Sequence, residues 1–454
     1  MIKTLKAAWG NEDLRKRMLF TLLIVVAFRI GNVIPVPFVN TAALSAYFNS
    51  MSNTALGLLN VMSGGAFATA TIFALSVQPY INASIIIQLL CVAIPSLEHL
   101  AKEEGEAGRK KIENITRWTA VGIGILQALA YYMMMKNYGL LATDAVGVWW
   151  KALIIIAVFA AGSVVIMLMG KAIDDHGIGN GISVILFAGI ISRLPADIIS
   201  TVTNVKTGNL KWWVAVLTYI GVLAIIALIV IMNDAEHRVP IMYAKRVVGR
   251  KQYNAHSTYL PLKLSMSGVM PIIFAQSIAS FPATIAAFIG KADATWARTD
   301  TWWFVVWYTL MLFFFAYFYA SIQFNTVEIA NNLKANGGVI PGYRPGKPTS
   351  ELLQSILNRV TFLGALYLAV VVVVPMTLMN IFPSTKLTGL SLGGTSIIIA
   401  VGVAVQIIKD LEVKLMTRNY SGLFTETSAE ASKKHDKEVK AKNKRNPFAV
   451  KKAG

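Results

Sequence analysis

The chain has 454 residues, 55% of them hydrophobic and 14% charged, with a mean hydropathy of +0.58. A soluble domain spends about a quarter of its residues on charge, so this composition excludes a soluble enzyme, a disordered chain and a fibrous repeat. The apolar residues form long unbroken blocks rather than the alternation of barrel strands, which leaves an all-α polytopic membrane protein.

Taken in chain order, hydropathy windows of about 19 residues predict ten transmembrane helices, near 18–37, 71–95, 118–135, 152–169, 182–200, 212–232, 265–289, 302–324, 360–382 and 392–408. Lys3, Lys6, Arg15, Lys16 and Arg17 precede the first in the manner of a secretory signal, but Pro35 and Pro37 follow it instead of a small-residue cleavage site. It therefore reads as an uncleaved span. An even count puts both termini on one side, and the basic residues say which. Of the 42 Lys and Arg, 33 fall in the tails and loops that would share the termini's side. Only 8 fall on the other, counting Arg193 at the outer end of span 5, and Arg29 lies inside span 1. By the positive-inside rule the termini are cytoplasmic.

What the spans lack is equally informative. Glu328 and Asp410 come closest to mid-span but lie at span ends, and His99, His176, His237, His256 and His435 all fall in loops or the tail. Ion-coupled pumps usually carry such groups at membrane depth. Neither a metal-ligand spacing nor a nucleophile–base pair is present, and the single Cys91 excludes an internal disulfide. The reading is of a protein that is not an enzyme and holds no cofactor or metal. Arg29, about 16 Å along its helix from Met18, should face protein or water, as a structural arginine bonded to carbonyls of neighbouring helices or, less simply, with a direct role in a pathway.

Three glycine segments imitate nucleotide sites. Gly177 to Ser183 has a GxGxG spacing but no βαβ context. Gly342 to Thr349 has three residues, not four, between the glycines of a would-be Walker A, and Pro348 stands where Ser or Thr should be; it reads as a rigid cationic loop tip presenting Arg344 and Lys347. Ser63, Gly64, Gly65 and Ala66 separate a short weakly polar stretch from span 2, suggesting a helical piece folded back into the membrane region, where irregular backbone needs protein or water around it.

Loop 6/7 is about 30 residues long, more than reconnecting two helices requires. In it Lys245, Arg246, Arg250 and Lys251 alternate with Val247, Val248 and Tyr253, as in a hairpin with one apolar and one cationic face suited to phosphate or carboxylate partners. After about Thr425 the chain is lysine-rich and poor in large apolar residues, a composition that does not fold alone.

Together these segments resemble the bacterial SecY family. They are FRIGNVIPVP in span 1, SGGAFATATIFAL and PYINASIIIQLL around span 2, GIGNGIS at span 5, YAKRVVGRK and STYLPLK in loop 6/7, PGYRPGKPT in loop 8/9 and GGTSIII in span 10. They fall in order from about residue 15 to about residue 420. The resemblance implies a protein-conducting channel for unfolded secretory polypeptides, releasing membrane helices through a lateral gate where spans 2 and 3 meet spans 7 and 8. Two inverted five-helix halves, 18–200 and 201–411, would surround a central pore, with a cytoplasmic segment 1–17, cytoplasmic loops 233–264 and 325–359, and a basic tail 412–454. The positions matching the family's pore ring are Val77, Ile81, Ile182, Leu186, Ile273 and Ile399, with polar Gln78 beside it. A plug matches about 56–69, including Asn60, Ser63, Gly64, Gly65 and Ala66. Lys245, Arg246, Arg250, Lys251, Arg344 and Lys347 match the surface that docks the SecA motor or the ribosome. Implied partners are the SecE and SecG subunits, SecA, the ribosome, secretory preproteins with their signal sequences, and the bilayer of the cytoplasmic membrane. A secondary transporter of small solutes is the alternative, since it too can have ten helices and inverted repeats; the missing mid-span carboxylates and the two large cationic loops oppose it.

Overall fold

A computed structural model describes residues 2–50, 55–102, 105–142, 147–208, 210–243, 246–248, 251–253, 257–264, 268–288, 301–381 and 395–416. The chain opens with α1 (Ile2–Gly10) and α2 (Glu12–Gly31). Glu12 and Asp13 complement the N-terminal dipole of α2, and Glu12 pairs with Lys16 at 3.0 Å. The helix stops at Gly31, short of the expected outer end of span 1, because Pro35 and Pro37 bar its continuation. Two short helices follow, α3 (Thr41–Ser50), which hydropathy gave no reason to expect, and α4 (Ala55–Met62).

Span 2 differs from its expectation. Its first residues, 71–77, form turns, and the helix α5 is Gln78–Ala93. Ala70 (φ 45°) and Ser76 (φ 49°) are left-handed, which no α-helix accommodates, and Pro79 sits in the first turn, where its missing N–H costs nothing. The stretch pairs instead with the exit of α2, through Val36 N to Ala70 O at 2.9 Å and Ile72 N to Ile34 O at 3.0 Å. α8 can approach this strip only at Gly162, where a Cβ would lie 2.0 Å from the Ile72 carbonyl oxygen.

The helices continue as α6 (Pro95–Lys102), α7 (Gly105–Asn137), α8 (Val148–His176), α9 (Gly181–Ile191), α10 (Leu194–Lys206) and α11 (Trp212–Asp234). Span 5 is thus two helices rather than one, broken at Ser192 and Arg193 ahead of Pro195. The glycines of residues 177–183 serve a tight turn: Gly179 is left-handed (φ 79°), and Gly181 meets Gly170 of α8 so closely that a Cβ would fall 1.9 Å from its carbonyl oxygen. Asn180 caps α9 by accepting the Ser183 N–H at 3.1 Å.

Loop 6/7 forms β1 (Glu236–Tyr243), β2 (Arg246–Val248), β3 (Lys251–Tyr253) and β4 (Ser257–Lys263). Then come α12 (Met270–Phe288), α13 (Trp302–Gln323), α14 (Thr326–Ala335), β5 (Gly338–Val339), α15 (Lys347–Ile381) and a helix over 395–416, here α16. α15 begins at Lys347 with Pro348 in its first turn, so the expected loop tip ends as a helix start. Strands β4, β1 and β5 make an antiparallel sheet, with Glu236 opposite Lys263 and Met242 opposite both Ser257 and Val339.

Six described helical stretches are long and apolar enough to cross a membrane: α7, α8, α9 with α10, α11, α13 with α14, and α15. One large apolar core runs through α2, α5, α8, α9, α12, α13, α15 and α16. A second packs α3 and the 67–75 turns against α7 and α8, with Phe48 edge-on to Phe67, Phe67 stacked on Tyr131 and Tyr131 tilted against Phe159. A third, around Ala8, Leu14, Ile178 and Leu411, ties α1, α2 and the 4/5 turn to α16, aided by Thr4 donating to Glu412 at 3.0 Å. By contrast α11 leaves Leu217, Leu223 and Ile231 more than half exposed, as a lipid-facing helix would.

Candidate pore and plug

All six expected ring residues meet in the large core. Val77 and Ile81 stand one turn apart at the start of α5, with Ile81 N bonded to Val77 O at 3.0 Å. Ile182 and Leu186 are likewise four apart on α9, Ile273 is on α12 and Ile399 on α16. Val77, Ile81, Leu186, Ile273 and Ile399 are no more than 4% exposed, and Ile182 packs partly buried against the same core. Four helices thus contribute these branched apolar side chains to one core. Beside it Gln78 turns its amide to the α4 end, where Nε2 donates to Met62 Sδ at 3.3 Å.

The segment after α4 folds on itself through Asn60. Its carbonyl accepts Gly65 N–H at 2.8 Å and Ser63 Oγ at 3.1 Å, while its side-chain oxygen accepts Ala68 N–H at 2.9 Å. Ser63 Oγ in turn accepts Phe67 N–H at 3.1 Å. Gly64 (φ 70°) and Gly65 (φ 92°) supply the left-handed turn. Ser63 and Ala66 are buried, and the Tyr131 hydroxyl donates to the Phe67 carbonyl, fixing the far end of the segment to α7. Arg29 does not bond the neighbouring carbonyls as expected; its Nη1 donates to the Ser192 hydroxyl at 2.6 Å. Ser192 and Tyr131 are partners that sequence reasoning missed. Pro195 inside an expected continuous span was the available sign of a break there.

A cavity of about 420 Å³ lies between α5, α7, α12 and the plug-like segment. Gln78, Asn82, Gln127, Ser277, Ser280 and Thr284 set a few polar groups into walls that are otherwise apolar, among them Phe67, Leu75, Ile86 and Phe281. Ser76 Oγ, Gln127 Oε1 and Ser277 Oγ are buried there without a protein hydrogen-bond partner.

Of the expected docking residues, Arg344 and Lys347 are exposed at the turn entering α15, where the Thr349 hydroxyl donates to the Arg344 carbonyl at 2.8 Å. Arg246 lies on β2 opposite Tyr253, and Lys251 on β3 opposite Val248. Lys245 and Arg250 lie outside the described residues, as does the chain after residue 416, with most of the basic tail. Both loops rest on one apolar cluster, Val239 and Leu262 from the sheet with Ile340 and Leu353 from the β5 side, so loops 6/7 and 8/9 form a single platform.

The SecY family profile matches residues 71–408. The protein translocase subunit SecY of Corynebacterium glutamicum is 38% identical over 439 residues, covering 92% of this chain and 98% of that protein. The chain belongs to the SecY family. Two solved structures share the fold at low identity. One, described as showing the plug domain of SecY stabilising the closed channel, has a TM-score of 0.61 at 14% identity over 87% of this chain and 91% of that one. The other, Sec61 in a canine ribosome–channel complex from the endoplasmic reticulum, has a TM-score of 0.58 at 13% identity over the same shares. This SecY-family chain is therefore a multi-pass subunit of a protein-translocating channel, not a small-solute transporter and not an enzyme.

Proposed function

We propose that the six branched residues form a hydrocarbon neck, the seal through which unfolded polypeptide passes, with the segment from about Leu56 to Thr69 as its plug. The observation that carries this is the convergence of six branched apolar side chains from four helices into one buried cluster beside that segment. Such a ring excludes water by dewetting, and it yields to a peptide because no hydrogen bond must break. The largely apolar cavity between α5, α7 and α12 lies at the expected lateral gate, and its few polar groups offer partners to a helix leaving the pore. Hydropathy supports ten spans, the family resemblance their arrangement as two inverted halves, and the 33 to 8 division of basic residues both termini on the cytoplasmic side of the cytoplasmic membrane.

The platform of loops 6/7 and 8/9 then faces the cytoplasm. Its exposed Arg344 and Lys347, with Lys245, Arg246, Arg250 and Lys251 in the neighbouring loop, suit a carboxylate-bearing motor such as SecA or the phosphates of ribosomal RNA. SecE and SecG are the partner subunits proposed for the lipid-side helix faces. The deciding experiment is photocrosslinking to a stalled secretory chain. Probes replacing Ile81 and Ile273 should capture the chain, and a probe at lipid-facing Leu223 should not; capture from Leu223 but not from Ile81 would remove the ring from the path.

A further inference from the structure

We infer that Arg29 is a positioning residue which, through Ser192, builds the seat holding the plug closed; this rests on reading the segment from about Leu56 to Thr69 as a plug. Arg29 is the one basic residue inside span 1, and a cation at that depth needs a reason. The structure places its guanidinium at the C-terminal end of α9, where carbonyl groups concentrate partial negative charge. Nη1 donates to Ser192 Oγ at 2.6 Å, and that hydroxyl donates onward to the Gly189 carbonyl at 2.6 Å. The serine is thereby fixed from both sides at the break between α9 and α10.

The plug turn lies directly on this pair. A Cβ on Gly64 would stand 2.9 Å from the Gly189 carbonyl oxygen, 2.9 Å from Ser192 Oγ and 3.0 Å from Arg29 Nη1. From the other side, a Cβ on Gly189 would stand 2.8 Å from the Met62 carbonyl oxygen. Two glycines therefore let plug backbone and helix backbone touch, with the arginine as one wall. Close to Arg29 on α2, Asn32 Nδ2 reaches the Ser63 carbonyl at 3.5 Å. Here the plug contributes backbone and no charged group, so leaving the seat breaks no ion pair. A seat made by shape holds the plug yet releases it when a polypeptide presses through. A merely structural Arg29 would tie α2 to α9 without reference to the plug; the three near-contacts at Gly64 are what that view leaves unexplained.

The test uses the full chain in its assembled translocon, reconstituted in liposomes, with Cys91 replaced. Arg29→Met should raise resting ion conductance several-fold and make a Gly65→Cys thiol react faster with an impermeant reagent, while Arg29→Lys, which keeps the cation, should restore most of the seal. In the Arg29→Met background, Gly64→Cys with Ser192→Cys places a Cβ within disulfide reach of the Ser192 position, given a Cβ···Cβ span of about 3.8 Å in disulfides. Leak in the reduced form that disappears on oxidation supports the seat; leak that persists with the plug covalently held overturns it. Should Arg29→Met fail to accumulate, Ser192→Ala removes only the bridging hydroxyl and decides by the same readouts. Deleting Asn60 to Ala66 in the parent chain separates the two levels of inference. If the deletion leaks while the Arg29 and Ser192 variants do not, the seat is wrong and the plug stands; if the deletion does not leak, the plug reading fails and the seat falls with it.

Discussion

Side chains of the proposed neck are notable for what they lack. Val77, Ile81, Leu186, Ile273 and Ile399 are almost wholly buried, and none brings a polar atom that could hold an ion or a file of water. Replacing Ile81 and Ile273 together by Ser should leave the chain inserted but raise ion conductance in liposomes; an unchanged conductance in correctly inserted protein would exclude both from the seal. The glycines make the opposite kind of prediction, about stability rather than leak. Gly162→Ala would force a Cβ to 2.0 Å from the Ile72 carbonyl oxygen, a backbone atom in a pinned turn. We expect a loss of about 1–3 kcal/mol, the usual cost of overpacking, seen as lower accumulation and a lower unfolding temperature in detergent. Gly122→Ala, with nothing within 4 Å of its Cβ position, should be neutral and serves as the control.

At the scale of elements, hydropathy located apolar helices well and their interruptions poorly. The windows average composition, so they saw Thr71 to Val77 as the start of a span and had no access to the left-handed φ of Ala70 and Ser76 that turns it into a strip paired with the exit of α2. For the same reason the break at Ser192 was invisible except through Pro195. The cationic hairpin of loop 6/7 was readable from alternating residues, but its joining to loop 8/9 was not. That union depends on β5, two residues long, and on Val239, Leu262, Ile340 and Leu353 meeting from distant parts of the chain. The platform yields a paired prediction. Val239→Asp buries an unpaired carboxylate beneath the sheet and should abolish transport by unfolding both loops, detected as new protease cleavage in 236–263 and 336–346. Arg344→Glu reverses an exposed charge and should block motor- or ribosome-driven transport with those loops still protease-resistant. Normal translocation by the Arg344 variant would remove it from the docking surface.

For the whole molecule, sidedness is the property on which every assignment of plug, platform and seal depends, and it is carried by charge rather than by packing. The α2, α8, α9 and α16 helices pack into one core, and that core would be equally stable with either end inward. Orientation is instead set during insertion, where Lys and Arg flanking the spans resist translocation. The expected sidedness needs only the hydropathy spans and a count of basic residues, whereas the seat proposed at Gly64 depends on residues far apart in the chain. Two exposed positions test it directly once Cys91 is replaced. Tyr343, 44% exposed in the loop entering α15, should as Tyr343→Cys react with an impermeant thiol reagent only from the cytoplasmic side. Lys211, exposed just ahead of α11, should as Lys211→Cys react only from outside intact cells. Labelling of both from one side would mean an even number of crossings between residues 211 and 343 in place of the three expected of α11, α12 and α13. In that case the inverted relation between the two halves would fail, and if the shared side were the outside the platform would no longer face the motor.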